Sequence, residues 1–161
     1  MTGRAVVENA FSRWNDHDRE GYIACFAEDC EFNVPRRPGK GRAAVAAWWD
    51  FNATAFGERH IRIKALVESG ETVAVEAVAE NKHTGTMAAI GSRREIPATG
   101  KTFVLPFVTM YTVRDGRIVS SRRTLAPGCA MSGSASSIVG TMKLARPVAV
   151  FQIRSLAGIG R

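Results

Sequence analysis

One imidazole closes a strand-like run in a position where it could move protons. In T-V-A-V-E-A-V-A-E-N-K-H-T-G, residues 72–85, alternate side chains fall on opposite faces. Val73, Val75, Ala77, Ala79, Asn81 and His83 share one face, which is small and apolar until its last two members. An unperturbed imidazole titrates near pH ~6.5, so His83 suits proton transfer close to neutrality. The plainer alternative is that His83 ends the strand and bonds a backbone carbonyl. Tyr111 shares a face with Phe103, Leu105, Phe107 and Thr109 on a second run. So apolar a face reads as core before it reads as site. Trp48 and Trp49 are adjacent and cannot lie on one side of a helix; one seals the core and the other lines a rim or pocket.

Two further groups carry reactive types. Asp16, His17 and Asp18 are consecutive at a helix junction, so they cannot all face one metal ion. Capping explains them better, with the Asp18 carboxylate starting the next helix. No metal is expected. Cys25, Cys30 and Cys129 have no ligand spacing and are odd in number, which reads as free thiols behaving as small buried hydrophobes.

The elements that must position these residues are legible in outline. Val6, Val7, Ala10, Phe11 and Trp14 form the apolar stripe of a first helix, and Tyr22, Ile23, Cys25 and Phe26 that of a second. Residues 30–35 read as a short strand ended by Pro35, followed by a loop, R-R-P-G-K-G. A third helix spans about 42–56 with Val45, Trp48, Trp49, Ala55 and Phe56 on its apolar side. Ile61, Ile63 and Leu66 then alternate in a strand that leads into 72–83. Residues 84–96 read as an ordinary polar surface loop. A run around 103–113 and another around 117–125 are joined by Asp115-Gly116, a hairpin signal because glycine tolerates positive φ. Val119, Ser121, Arg123 and Leu125 are expected to share one side of the last strand. The order predicts an α+β domain, its helices on one face of a curved, mostly antiparallel sheet. The 103–111 run is apolar on both faces, with Val104, Pro106, Val108 and Met110 opposite the first set. A second subunit covering that outer face, in a homodimer, is the expectation.

The chain has 161 residues, 45% hydrophobic and 23% charged, enough for one domain with a real core. The net charge of +7 is uneven: residues 116–161 hold seven of the 22 Lys/Arg and none of the 15 acids. Those charges are scattered and lack aromatic companions, which disfavours nucleic-acid binding. No apolar run could cross a bilayer, and the start, M-T-G-R-A-V-V-E-N-A-F, lacks a signal-peptide core, so a cytoplasmic location without membrane attachment is expected. The pattern divides the chain into a domain, 1–125, and a basic Gly/Ser/Ala-containing tail, 126–161, with one strand-like run at Val148–Ile153.

The phrases F-A-E-D-C-E-F, G-K-G-R-A-A-V-A-A-W-W, K-H-T-G, I-P-A-T-G-K and V-R-D-G-R-I-V, in this order over residues 5–125, resemble the SnoaL-like polyketide cyclases. These belong to the nuclear-transport-factor-two-like superfamily. The resemblance implies a cone-shaped fold enclosing a pocket, with three N-terminal helices on the sheet. It implies a cofactor-independent cyclase, isomerase or lyase acting on a small hydrophobic carbonyl-containing ligand. A non-catalytic binding protein and a dimerisation module are the alternatives on the same fold. Position by position, the family's carboxylates are missing. Val34 stands where ketosteroid isomerases hold an aspartate. Ala77 and Ala79 stand where limonene-epoxide hydrolases hold Arg and Asp, and Arg123 replaces their last-strand Asp. Only Asn33 matches that family's water-holding asparagine. The resemblance thus leaves His83 as the catalytic candidate, with Asn33, Trp49, Tyr111 and Arg123 for substrate binding. An inward Arg123 could pair with Glu31 or with a ligand anion; it could also point outward into solvent.

Overall fold

A computed structural model of the chain describes residues 1–35, 37–88 and 95–125. Helix α1 (Gly3–Asn15) starts where the Thr2 hydroxyl accepts the Ala5 N–H at 3.2 Å, satisfying one of the free donors of the first turn. The stripe Val6, Val7, Ala10, Phe11 and Trp14 is buried, as its spacing predicts. His17 turns the chain with φ of 59°, and the Asp18 carboxylate caps α2 (Arg19–Ala24) by accepting the Gly21 N–H at 2.9 Å. Asp16 instead accepts the Ser12 hydroxyl. Helix α3 (Gly41–Ala55) buries Val45, Trp49, Asn52 and Ala55.

Six strands form one sheet: β1 (Phe26–Val34), β2 (Arg37–Lys40), β3 (Glu58–Ser69), β4 (Thr72–Lys82), β7 (Thr102–Arg114) and β8 (Arg117–Leu125). Their order is β2-β1-β8-β7-β4-β3, and every neighbouring pair is antiparallel except β1 with β8. The sheet is curved and unclosed, with the helices on its inner face. Asp115 and Gly116, both at positive φ, make the two-residue turn between Arg114 and Arg117.

Four features depart from the sequence reading. Strand β1 starts at Phe26 rather than at residue 30, so Cys25 and Phe26 lie beyond α2 and not on its apolar stripe. The stretch read as a loop after Pro35 contains strand β2, paired with β1; its Pro38 is tolerated because β2 is an edge with no neighbour on its far side. Residues 84–96 carry a small ribbon, β5 (Met87–Ala88) with β6 (Glu95–Ile96). Its Met87 is buried beside Ala55 and Phe56. Within β8 the register shifts between the partners of Thr112 and Val113, leaving Val119 as an extra residue. Ile118 therefore faces inward, and Ser121, Arg123 and Leu125 continue that face without Val119. A similar shift between Ile63 and Ala65 brings Leu66, rather than Ala65, into line with Ile61 and Ile63.

Val73, Val75 and Ala77 are fully buried in the core, and Ala79 nearly so. The outer face leaves Val104 and Val108 exposed on β7. No helix among the described residues is long and apolar enough to cross a membrane. The tail 126–161, with its strand-like run, and Cys129 lie outside the described residues.

Candidate functional site

The strand register brings six inner-face positions together. Ser121 pairs with Tyr111 and Tyr111 with Val73; one step along, Arg123 pairs with Thr109 and Thr109 with Val75. Helices α1 and α2 cover this patch with Phe11, Trp14 and Tyr22. Between them lies a cavity of about 10 Å³, room for about one water molecule, lined by Trp14, Tyr22, Ile61, Tyr111 and Arg123 among others.

Arg123 points inward. Its Nε donates to the Thr109 hydroxyl at 3.2 Å, and its guanidinium lies 4.1 Å from the centre of the Phe107 ring and 5.8 Å from that of Trp48. Trp48 in turn stacks on Phe51, over which the Arg37 guanidinium sits at 4.1 Å. This row runs from the cavity past the partly buried Trp48 and Phe51 of α3. The pairing of Arg123 with Glu31 does not occur. Glu31 is exposed on β1 between the buried Cys30 and Phe32, so it projects from the opposite face.

Both tyrosines of the chain are buried at the cavity. Burial pushes each phenol above its ordinary range; at Tyr111 the nearby Arg123 charge pulls the other way without cancelling the shift. At neutral pH both phenols stay protonated and can donate.

A second cation lies inside. Arg59 shares the inner face of β3 with Ile61 and Ile63, and only 7% of it is exposed. Its guanidinium lies 5.3 Å from the Trp14 ring centre and 4.7 Å from that of Trp49. Its Nε has no hydrogen-bond partner among the described residues, and burial pushes its pKa down. Taking an ion out of water costs several kcal/mol, and desolvated cation–π contacts return only about 2 kcal/mol. Sequence reasoning missed Arg59, although its parity with Ile61 in R-H-I-R-I was the available signal.

No carboxylate balances these cations. All fifteen Asp/Glu lie among the described residues, and none is buried.

The remaining candidates are dispersed. His83 continues the inner face of β4 and is buried, its Nδ1 3.1 Å from the Thr99 hydroxyl and its Nε2 without a partner among the described residues. Eight residues separate it from Val75, the neighbour of Thr109, which is about 26 Å of strand. His83 instead sits near Phe56, at the far end of the domain from the cavity. Trp49 is in the core, edge-on to Trp14 at 5.0 Å and beside Tyr22 at 5.3 Å. Trp48 is the tryptophan that meets Arg123. Asn33 is half-buried between the inward Phe32 and Val34, which directs it away from the cavity. Cys25 and Cys30 are buried free thiols whose pKa values burial raises, as inert packing residues require.

Comparison with known proteins assigns the family and the fold. The model of the SnoaL-like domain family matches residues 7–121, well over half of the chain. The chain belongs to the SnoaL-like domain family. Its α+β fold, with helices on one face of a curved, mostly antiparallel sheet, recurs in solved structures. Similar solved structures include IdmH of Streptomyces antibioticus, a candidate polyketide cyclase, at 23% identity and TM-score 0.65, covering 78% of this chain and 92% of that one. AclR of Streptomyces galilaeus, a candidate hydroxylase, is similar at 17% identity and TM-score 0.64, with 77% and 74% covered. A ketosteroid-isomerase-like protein of Catenulispora acidiphila, solved with trimethylamine, is similar at 18% identity and TM-score 0.60, with 74% and 83% covered. At these identities the likeness is one of fold. No curated protein sequence matches the chain. Within this SnoaL-like domain the inner patch is a set of donors without an internal acceptor carboxylate. Such a set stabilises negative charge on a ligand oxygen.

Proposed function

We propose that this SnoaL-like domain binds a polyketide-like, carbonyl-rich small molecule against its inner sheet face and polarises one carbonyl, the α-proton passing to a water molecule held beside the ligand as the enolate forms. That step is common to cyclase, isomerase and lyase chemistry on such substrates. The observation that carries the reading is the inward Arg123, which borders the cavity with two buried phenols and has no carboxylate partner. Arg123, Tyr111 and Tyr22 would hold the developing oxyanion in a site that excludes bulk water. Rotation of the half-buried Trp48 and Arg123 would widen the cavity for a ligand. Proton transfer by His83 is a separate part of the proposal. Its distance along β4 means that it would serve another section of an extended ligand, with its unpartnered Nε2 as the acceptor.

A second reading, a binding protein without turnover, draws on the same inventory: no carboxylate in the interior stands ready to remove a proton. We also propose that two copies pair through the outer sheet face, where Val104 and Val108 are exposed.

The test uses 2-acetylnaphthalene in D₂O, with methyl-proton exchange followed by NMR and binding by calorimetry. The catalytic reading expects accelerated exchange that falls about a hundredfold in Arg123→Met, the typical loss for one oxyanion donor. His83→Gln, which keeps hydrogen bonding but cannot take up the proton, measures the imidazole's share. Binding without accelerated exchange supports the second reading. Absence of binding overturns both.

A further inference from the structure

The eight ion pairs of the described residues all lie at the surface, and none includes Arg59 or Arg123. Eight of the fifteen acids are engaged there and the others also lie outside the core, while two guanidiniums remain on the inner face with aromatic rings as neighbours. The two are linked through the cavity wall. Trp14 and Ile61 line the cavity together with Arg123. Arg59 lies over the Trp14 ring and precedes Ile61 by two residues on the same strand face, about 7 Å away along β3. The Trp14 indole N–H is buried and has no partner among the described residues. Arg59 does not itself line the cavity but stands behind its Trp14 wall; with Arg123 at the cavity, an unused indole donor and no acid, this region is complementary to an anion.

We propose that the ligand of the inner face is an organic anion, a carboxylate carried on an aromatic body, and that Arg59 and Arg123 are the cations that receive it. This rests on the binding reading above and narrows its substrate class. A planar guanidinium fork matches a carboxylate bidentately, as an ammonium cannot. The ring faces of Trp48 and Phe107, which now cover Arg123, become available to the aromatic body when that arginine turns to the carboxylate.

The experiment compares benzoate, 2-naphthoate and 9-anthroate with their methyl esters by calorimetry, using the full chain at constant ionic strength. The graded sizes cover different degrees of cavity opening. The proposal expects at least one acid to bind tenfold or more tightly than its ester, with the preference abolished in Arg59→Met and in Arg123→Met. Arg59→Lys, which keeps the charge, should retain part of it. Without ligand, Arg59→Met should melt at or above the parent's temperature, because it removes an unpaired buried charge. Equal binding of acids and esters overturns the anion proposal and leaves the binding reading standing. Failure of every acid and ester to bind overturns both. A preference that survives in both methionine variants removes the two arginines from the role. A lower melting temperature for Arg59→Met would show that Arg59 holds the fold together, which also overturns its assignment.

Discussion

Replacing Gly85 by alanine should destabilise the domain by a mechanism that can be worked from distances. A Cβ at this position would stand 1.9 Å from the Thr54 carbonyl oxygen and 3.1 Å from its carbon, both backbone atoms at the end of α3. The carbonyl cannot rotate aside as a side chain could, so the loop must retreat by more than 1 Å. That movement breaks the two bonds that Thr84 and Gly85 donate to the Ala55 carbonyl at 3.1 and 3.2 Å. Two such bonds contribute about 2 kcal/mol. Loosening of Ala55, Phe56 and Met87, which pack together next to this turn, adds about 1 kcal/mol more. For a chain of this size 1 kcal/mol corresponds to roughly 2–4 °C, so Gly85→Ala should lower Tm by about 6–12 °C. Thermal unfolding followed by far-ultraviolet circular dichroism measures it. The His83 imidazole, next to Phe56, should shift in the NMR spectrum at the same time. A fall in Tm of less than about 2 °C would refute the close approach and, with it, the anchoring of the His83 loop on α3.

Two further outcomes are expected. The chain has only two tyrosines, and burial raises both above the ordinary value of 10. Absorbance at 295 nm should therefore show no tyrosinate step near pH 10 while the fold persists. Because the folded state holds these protons more tightly than the unfolded chain, their linkage term is fully present below pH 10. Stability is then lost as pH rises above that value. A reversible step near pH 10 in the folded protein would place at least one phenol in water. Sedimentation at micromolar concentration should give one dimeric species, and Val108→Asp, at an exposed position on the outer face, should shift it toward monomer. A monomeric parent would reject that interface.

Local pattern determined most of the architecture. The five-residue stripe of α1, the Asp18 cap and the Asp115-Gly116 turn each follow from neighbours in sequence, and each is found where the residues indicated. The alternation of Val73 to His83 also held, because in an undisturbed strand parity alone decides the face. Tertiary structure decided what lies beyond that range. One extra residue in β8 removed Val119 from the inner face, and a bulge depends on a pairing partner that the local sequence does not name. Strand β2 exists because β1 offers it an edge; alone, R-P-G-K has no reason to extend. The grouping of the site was the least legible part. His83 and Arg123 share a sheet face, yet strand length keeps them apart, while Trp14, Tyr22, Ile61, Tyr111 and Arg123 meet from five elements across the core. The charge balance also needed the fold. The sequence shows fifteen acids, but only the folded chain shows that every one lies outside the core that Arg59 and Arg123 face.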